Sequence, residues 1–171
     1  GALQCHIIAM VSKRLSREAG HRRKFLAVID ETPECWRAVT YAARRAKNTS
    51  GALVMLFVID NSDFQQILGV GEIMRAEAEE RARSTLEKFA AKVREEQGIE
   101  PELIIREGRI TEELPSLIEE DQDIAILVLA AGSGNEGPGP LVQSLANRAQ
   151  FQIPVTVIPS GLSDEDIDAV T

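Results

Sequence analysis

The sequence has few of the residues that build metal centres and disulfide frameworks. Its 171 residues include two cysteines, Cys5 and Cys35, and two histidines, His6 and His21. The cysteines lie 30 positions apart and form no CxxC pair, so neither a disulfide framework nor a zinc site is indicated. Both histidines lie near the amino terminus, outside the predicted domain. A metal site or a histidine-based catalytic unit is therefore poorly supported.

The sequence also lacks a long apolar run and an overall positive charge. The apolar stretch at residues 6–11 is too short to cross a membrane, and basic residues follow it, whereas they precede the apolar part of a signal peptide. We therefore expect a cytoplasmic protein with no membrane partner. The formal net charge of −8 repels phosphate backbones, which argues against general nucleic-acid binding.

Length and charge divide the chain into three parts. With 44% apolar content, 171 residues suffice for one core and not comfortably for two, so residues 23–160 are predicted to form one domain. Residues 1–24 carry a net charge of +5, and we expect residues 1–22 to be a basic, solvated extension, with contact to an acidic partner as the alternative. Residues 161–171 form an acidic tail, in which Ser163 could cap a short turn.

Five short apolar segments alternate with segments of helical periodicity. Those at 25–29, 53–59 and 124–131 are continuous apolar runs, which is typical of strands buried on both faces of a parallel sheet. Shorter strands are predicted at 103–105 and 155–158. Repeated strand–helix units imply right-handed crossovers, so the chain is predicted to be α/β, with a doubly wound parallel sheet and helices on both faces.

Four helices are predicted between these strands. The first begins at Thr32-Pro33, with a hydroxyl cap and a proline in the first turn. The second runs from about residue 72 to 96, the third is capped by Thr111, and the fourth covers about 141 to 149.

Ligands bind open α/β sheets outside the carboxyl ends of the strands. The first strand is followed there by Asp30, and the fourth by a loop with four glycines in eight positions, at 132–139. The exposed amides of such a loop, with a helix N-terminus behind them, can bind a phosphate without a basic side chain. The alternative is a tight loop that needs glycine for its path, and Glu136 opposes an anion there.

Common nucleotide and hydrolase motifs are absent or out of place. Residues 132–137 fit GxGxxG, but they follow the fourth strand and residues 138–140 delay the helix. The sequence contains neither GxxxxGK[ST] nor GxSxG. No lysine near Pro159 completes a phosphoacceptor site. A dinucleotide fold, a P-loop ATPase, an α/β-hydrolase and a receiver domain are therefore not indicated.

Four segments in the right order resemble the universal stress protein family, from about residue 24 to 159. They are FLAVIDETPECWRAVTYAARRAKNTSGALVMLFVID, IIREGRITEEL, DIAILVLAAGSG and IPVTVIP. The resemblance implies a five-stranded parallel sheet with strand order 3-2-1-4-5. It also implies a homodimer paired through the last strand, here Val155, Thr156, Val157 and Ile158. An apolar edge strand needs a partner, which independently favours dimerisation.

Some members of this family bind ATP through a G-x2-G-x9-G-[ST] motif and an acid that ends the first strand. Asp30, Gly134 and Gly137 match this pattern, whereas Leu141-Val142 stands where the family has Gly-Ser. The resemblance implies ATP or AMP in the cleft, with magnesium needed only beside ATP. The implied contacts are Asp30, Glu31, Val58, Ile59, Gly108, Ala131, Gly132, Ser133, Gly134, Gly137, Gly139, Leu141 and Val142.

Three functions follow from these observations. The leading hypothesis is a stress-response binding module that holds an adenine nucleotide. The alternative is a member without nucleotide that acts through its dimer surface, which the missing Gly-Ser favours. The third is a slow ATPase. Phosphoryl transfer needs positioned cations, and Arg106, Arg109 and Arg148 are the nearest candidates, so no catalytic residue is assigned.

Overall fold

The computed structural model contains one sheet of five parallel strands, in the order β3-β2-β1-β4-β5. The structure describes residues 13–62, 64, 71–132, 141 and 152–171. The strands are β1 (Lys24–Val28), β2 (Ala52–Ile59), β3 (Glu102–Glu107), β4 (Ile124–Ala130) and β5 (Val155–Ile158). The described helices are α1 (Cys35–Asn48), α2 (Gly71–Gln97), α3 (Ile110–Glu120) and α4 (Asp164–Val170). The predicted α/β class, the parallel sheet and the strand order are confirmed.

The continuous apolar runs are explained by two cores, one on each face of the sheet. In β1, Phe25 and Ala27 pack with α1, α2 and α4, whereas Leu26 packs with α3 on the opposite face. Met55 and Val54 of β2 divide between the two cores in the same way. Successive side chains of a strand point to opposite faces, so a strand covered on both sides leaves no position for polar alternation.

Both predicted helix starts are wrong by two residues. The Thr32 hydroxyl donates to Asp30 Oδ1 at 2.5 Å, and α1 begins only at Cys35, after Glu34 in the cap position. The α3 helix begins at Ile110, so Thr111 lies inside its first turn. The Asp30 side chain accepts from both the amide and the hydroxyl of Thr32 in a local turn, which is an alternative to capping by Thr32 and explains the first error. The predicted helix at 141–149 lies outside the described residues, apart from Leu141.

The described part of the basic extension, residues 13–22, is mostly exposed, and it contacts the domain through Arg14. Arg14 donates to the carbonyl oxygens of Ile118 at 2.8 Å, Asp121 at 2.6 Å and Ile124 at 3.1 Å. The last turn of α3 contains no basic residue, so Arg14 supplies the cation that a helix C-terminus favours. This segment therefore lies against the amino edge of the sheet.

The acidic tail also packs against the domain, as α4. Ser163 caps this helix in a capping box with Asp166, as its position in the sequence predicted. Ile167 is fully buried in the core beside α1, while Val170 is 58% exposed. Within the described residues, no helix combines the length and the hydropathy that crossing a bilayer requires.

Candidate functional site

The strand order reverses between β1 and β4, and the segments that follow these two strands meet at the carboxyl edge. Both strands run parallel and pair directly, with Leu26 opposite Leu127. A Cβ atom added to Gly132, which follows β4, would lie 3.9 Å from Glu34 Oε1, in the turn that follows β1. The described structure thus brings the start of the glycine loop beside the turn that contains Asp30, at the position where α/β sheets bind ligands.

Asp30 is exposed and is held by its own turn. Its Oδ1 atom accepts hydrogen bonds from the Thr32 backbone N–H at 2.9 Å and from the Thr32 hydroxyl. On the inner side, the backbone N–H of Asp30 contacts Cys35 Sγ at 3.5 Å, and the Cys35 thiol contacts the Val28 carbonyl oxygen at 3.6 Å. These bonds fix the direction of the Asp30 carboxylate before any ligand arrives.

Cys35 is a structural residue of this turn and is not poised as a nucleophile. Burial raises the pKa of its thiol to about 12, and the nearby carboxylates of Asp30 and Glu34 act in the same direction. A protonated thiol is a poor nucleophile, so Cys35 serves to pack the turn.

The second and third strands end in a linked pair of turns. The Gly108 backbone N–H donates to the Ile59 carbonyl oxygen at 2.9 Å, which ties the turn after β3 to the end of β2. Gly108 has φ +149°, and an added Cβ would lie 2.8 Å from Glu113 Oε1, so a side chain is disfavoured there. Ile59 is buried and Val58 is half-buried.

Arginines neutralise part of the negative charge at this edge. Arg81 of α2 donates through Nε and Nη2 to both carboxylate oxygens of Glu31. Arg75 of α2 donates to Glu107 Oε1 at 3.0 Å. Sequence reasoning missed both arginines, because the ion pairs join residues 50 and 32 positions apart. These ion pairs form because α2 packs beside the strands, and the sequence does not show that arrangement.

Asp60 directly follows β2, and its side chain accepts from the backbone N–H two residues later, as that of Asp30 does. Its Oδ1 atom accepts a hydrogen bond from the Ser62 backbone N–H at 2.9 Å. This bond lowers the pKa of Asp60, and the nearby charge of Arg109 acts in the same direction. Asp60 is therefore an anion at neutral pH, and it adds to the acidic character of the edge.

The structure places the predicted contact residues as follows. Asp30, Glu31, Val58, Ile59, Gly108, Ala131 and Gly132 lie at or next to the carboxyl ends of the strands. Leu141 packs against the α3 side of the core. The predicted contacts Ser133, Gly134, Gly137, Gly139 and Val142 lie outside the described residues. Ala131 donates its backbone N–H to the Ile158 carbonyl oxygen at 2.9 Å, so the glycine loop departs from a point fixed on β5.

An open hollow of about 760 Å³ lies along the first half of α2. Its described lining includes Ile73, Ala76 and Arg81, and contains none of the predicted nucleotide contacts. Arg81 thus belongs both to this hollow and to the ion pair with Glu31. Among the described residues, no group of three or more histidine, cysteine, aspartate or glutamate side chains is arranged to hold a metal ion.

Comparison with known proteins identifies one family. A family model described as the universal stress protein family matches residues 21–159. A search of curated proteins finds no match. The chain is similar in structure to the universal stress protein UspA from Lactobacillus plantarum, with a TM-score of 0.67 and 17% identity over 80% of this chain and 97% of that one.

Two further similar structures contain nucleotides according to their descriptions. One is a universal stress protein family protein from Arabidopsis thaliana with AMP bound, 19% identical over 84% of this chain and 95% of that one, with a TM-score of 0.58. The other is the universal stress protein from Archaeoglobus fulgidus in complex with dAMP, 15% identical over 80% of this chain and 97% of that one, with a TM-score of 0.56. At these identities the structural matches show a shared fold.

Proposed function

Because this chain belongs to the universal stress protein family, we propose that it is a stress-response binding module for an adenine nucleotide. The ligand lies at the carboxyl edge, between the segments that follow β1 and β4. One observation carries this proposal: the turn of Asp30 and the start of the glycine loop at Gly132 meet at this edge through Glu34. Similar structures with AMP and dAMP support the class of ligand.

Each part of the edge has a role in the proposal. Thr32 holds Asp30 through Oδ1, and we assign Oδ2 to a ribose hydroxyl, because a carboxylate is a strong acceptor for hydroxyl donors. The backbone at Val58 and Ile59 faces the adenine, beside Gly108. The phosphate contacts come from the loop amides, for which we propose Gly132, Ser133, Gly134, Gly137, Gly139, Leu141 and Val142. The amide of Ala131 is already bonded to Ile158, so Ala131 borders the ligand without donating to it.

The charge of the edge favours AMP over ATP as the ligand. Asp30 and Glu34 follow β1 and Asp60 follows β2, so this edge carries several carboxylates. Arg81 and Arg75 of α2 pair with two further ones, Glu31 and Glu107. A triphosphate brings more charge into this field than a monophosphate does. ATP with magnesium remains the variant of the proposal that the family motif suggests, although Leu141-Val142 replaces its second half.

The experiment is to denature the purified protein, extract it and identify any released nucleotide by mass spectrometry. In parallel, AMP and ATP are added to nucleotide-free protein, and a ligand that binds the folded state is expected to raise the melting temperature. Asp30→Asn should abolish the shift. Asp60→Asn is the matched control, since Asp60 makes the same kind of turn at the end of the neighbouring strand and is not assigned a ligand contact. It removes a negative charge from the edge, so the shift should persist or increase. Clean extracts with no shift for either nucleotide would contradict the proposal.

We also propose that two copies pair through β5. This strand bonds to β4 along one side, with Val157 opposite Leu129, and it is last in the sheet order. Val155, Thr156 and Val157 are half-buried in the single chain. Light scattering is expected to show a dimer for the native chain and a monomer for Thr156→Lys, with Ser160→Lys as the control. A native monomer at high concentration would refute the pairing.

A nucleotide-free module that acts through this dimer surface is the second candidate function, favoured by the carboxylates around Asp30. This candidate predicts that the protein forms a stable dimer and that extracts of the denatured protein contain no nucleotide, whereas the first candidate predicts a released nucleotide. A cytoplasmic location belongs to both candidates, and Cys35, a free and buried thiol, is consistent with a reducing compartment.

A further inference from the structure

The ion pair between Arg81 and Glu31 connects helix α2 to the residue that follows Asp30. We propose that Arg81 is a phosphate contact of the nucleotide, and that Glu31 occupies its guanidinium when no nucleotide is bound. This inference rests on the function proposed above. It adds two residues outside the glycine motif: Arg81, which would bind the phosphate, and Glu31, which would compete with the phosphate for Arg81.

The geometry of the pair is the first reason. Arg81 uses Nε and Nη2 together, so its planar fork faces both oxygens of Glu31. A guanidinium binds a phosphate with the same two parallel donors, because the oxygen spacing of a phosphate resembles that of a carboxylate. The guanidinium thus already presents two parallel donors to the turn that follows β1.

The second reason is that, of the three described arginines near the carboxyl edge, Arg81 lies nearest to the turn that follows β1. Arg75 is bound to Glu107, at the end of β3, and the charge of Arg109 acts on Asp60, at the end of β2. Arg81 is the one of these three that contacts the turn after β1. Because the sheet order reverses between β1 and β4, Arg81 is best placed for a ligand bound beside Asp30.

The low cost of exchange is the third reason. The Arg81 and Glu31 side chains are 71% and 44% exposed. An exposed ion pair contributes little to folding stability, so a ligand can replace Glu31 without unfolding the domain. A phosphate dianion offers three oxygens and about two charges, compared with two oxygens and one charge for Glu31. Binding therefore exchanges a weaker partner for a stronger one.

The need for positive charge is the fourth reason. The turn after β1 places the Glu34 carboxylate near the start of the glycine loop, and the same turn contains Asp30. Backbone amides alone would have to hold the phosphate against this field. Arg81 would touch the phosphate directly, while the released and partly exposed Glu31 carboxylate can turn into solvent. The exchange therefore offsets part of that repulsion, and it does so for phosphorylated ligands only.

The test compares AMP with adenosine, which lacks the phosphate, by isothermal titration calorimetry on the native chain and its variants. Arg81→Gln is expected to weaken AMP binding roughly tenfold and to leave adenosine binding unchanged, as removal of a charge-assisted contact to the phosphate predicts. Glu31→Gln is expected to raise the ratio of AMP affinity to adenosine affinity severalfold. Arg81→Lys, which keeps the charge and loses the fork, should lie between the native chain and Arg81→Gln.

The matched control is Arg83→Gln, since Arg83 lies on the same helix, is 63% exposed and pairs with Glu80 of that helix. It should leave both affinities unchanged, and circular dichroism should show native folding for every variant. An unchanged AMP-to-adenosine ratio in Arg81→Gln, with AMP still bound by the native chain, overturns this inference alone. If the native chain binds neither compound, the proposed function fails, and the role of Arg81 fails with it.

Discussion

Removal of the Ile167 side chain should destabilise the whole domain, although this residue lies only four positions before Thr171. Ile167 is fully buried in the same core as α1 and the inner face of β1. An Ile→Ala change in a core costs about 2–5 kcal/mol. Because α4 is short and can shift to fill part of the space, we expect roughly 2–3 kcal/mol for Ile167→Ala, a melting temperature about 5–10 °C lower.

The assay is urea unfolding followed by circular dichroism, with Val170→Ala as the matched control. Val170 lies on the same helix and is 58% exposed, so its truncation should change the free energy of unfolding by less than about 0.5 kcal/mol. The denaturant slope should be the same in all three proteins, because the surface exposed on unfolding hardly changes. Equal stability of Ile167→Ala and Val170→Ala would show that α4 is not part of the cooperative core, and would refute the reasoning.

The other predictions concern a close approach, a buried thiol and an ion pair. Gly51→Ala should cost about 1–3 kcal/mol, since its Cβ would lie 2.5 Å from the Arg23 backbone oxygen, whereas Gly161→Ala, with open space around it, should be neutral in the same urea assay. Cys35 should react with a thiol reagent only at the rate of unfolding, because burial raises its pKa to about 12, and fast labelling of the folded chain would contradict this. A hydrogen bond from Arg106 lowers the pKa of Glu120, so their pair should stabilise the fold at neutral pH and cease to do so as the pH falls through that lowered pKa. Glu120→Gln should therefore lose stability at pH 7 and match the native chain at low pH, and a deficit that persists in acid would count against the pair.

The fold could be predicted from the sequence because its main signal is local. In the run around Val54, successive side chains point into the two cores in turn. Each position of the strand is therefore apolar, and the lack of polar alternation indicates a sheet covered on both faces. The position of Asp30 followed from the same logic, since a charged residue directly after a buried strand marks the carboxyl edge. The family resemblance added the strand order, which the structure confirms.

The parts of the site that were missed depend on contacts between distant residues. Thr32 looked like a helix cap, but Asp30 accepts its hydroxyl, and both local alternatives fit the sequence equally well. The partnership of Arg81 with Glu31 depends on the angle at which α2 crosses the sheet, and periodicity does not specify that angle. The basic extension was read from charge alone, which cannot show that the Arg14 guanidinium reaches three carbonyl groups at the other edge.

The position of Arg14 has a practical consequence for anyone who trims this protein. The family match begins at residue 21, so a shortened gene designed on that boundary would remove Arg14 and the segment that contains it. The carbonyl groups of Ile118, Asp121 and Ile124 would then lose a shared donor, and Lys24, which binds the Asp121 side chain, would not replace it at the α3 carbonyls. Proteins cut at residue 21 are therefore the wrong material for measuring how firmly this domain holds together.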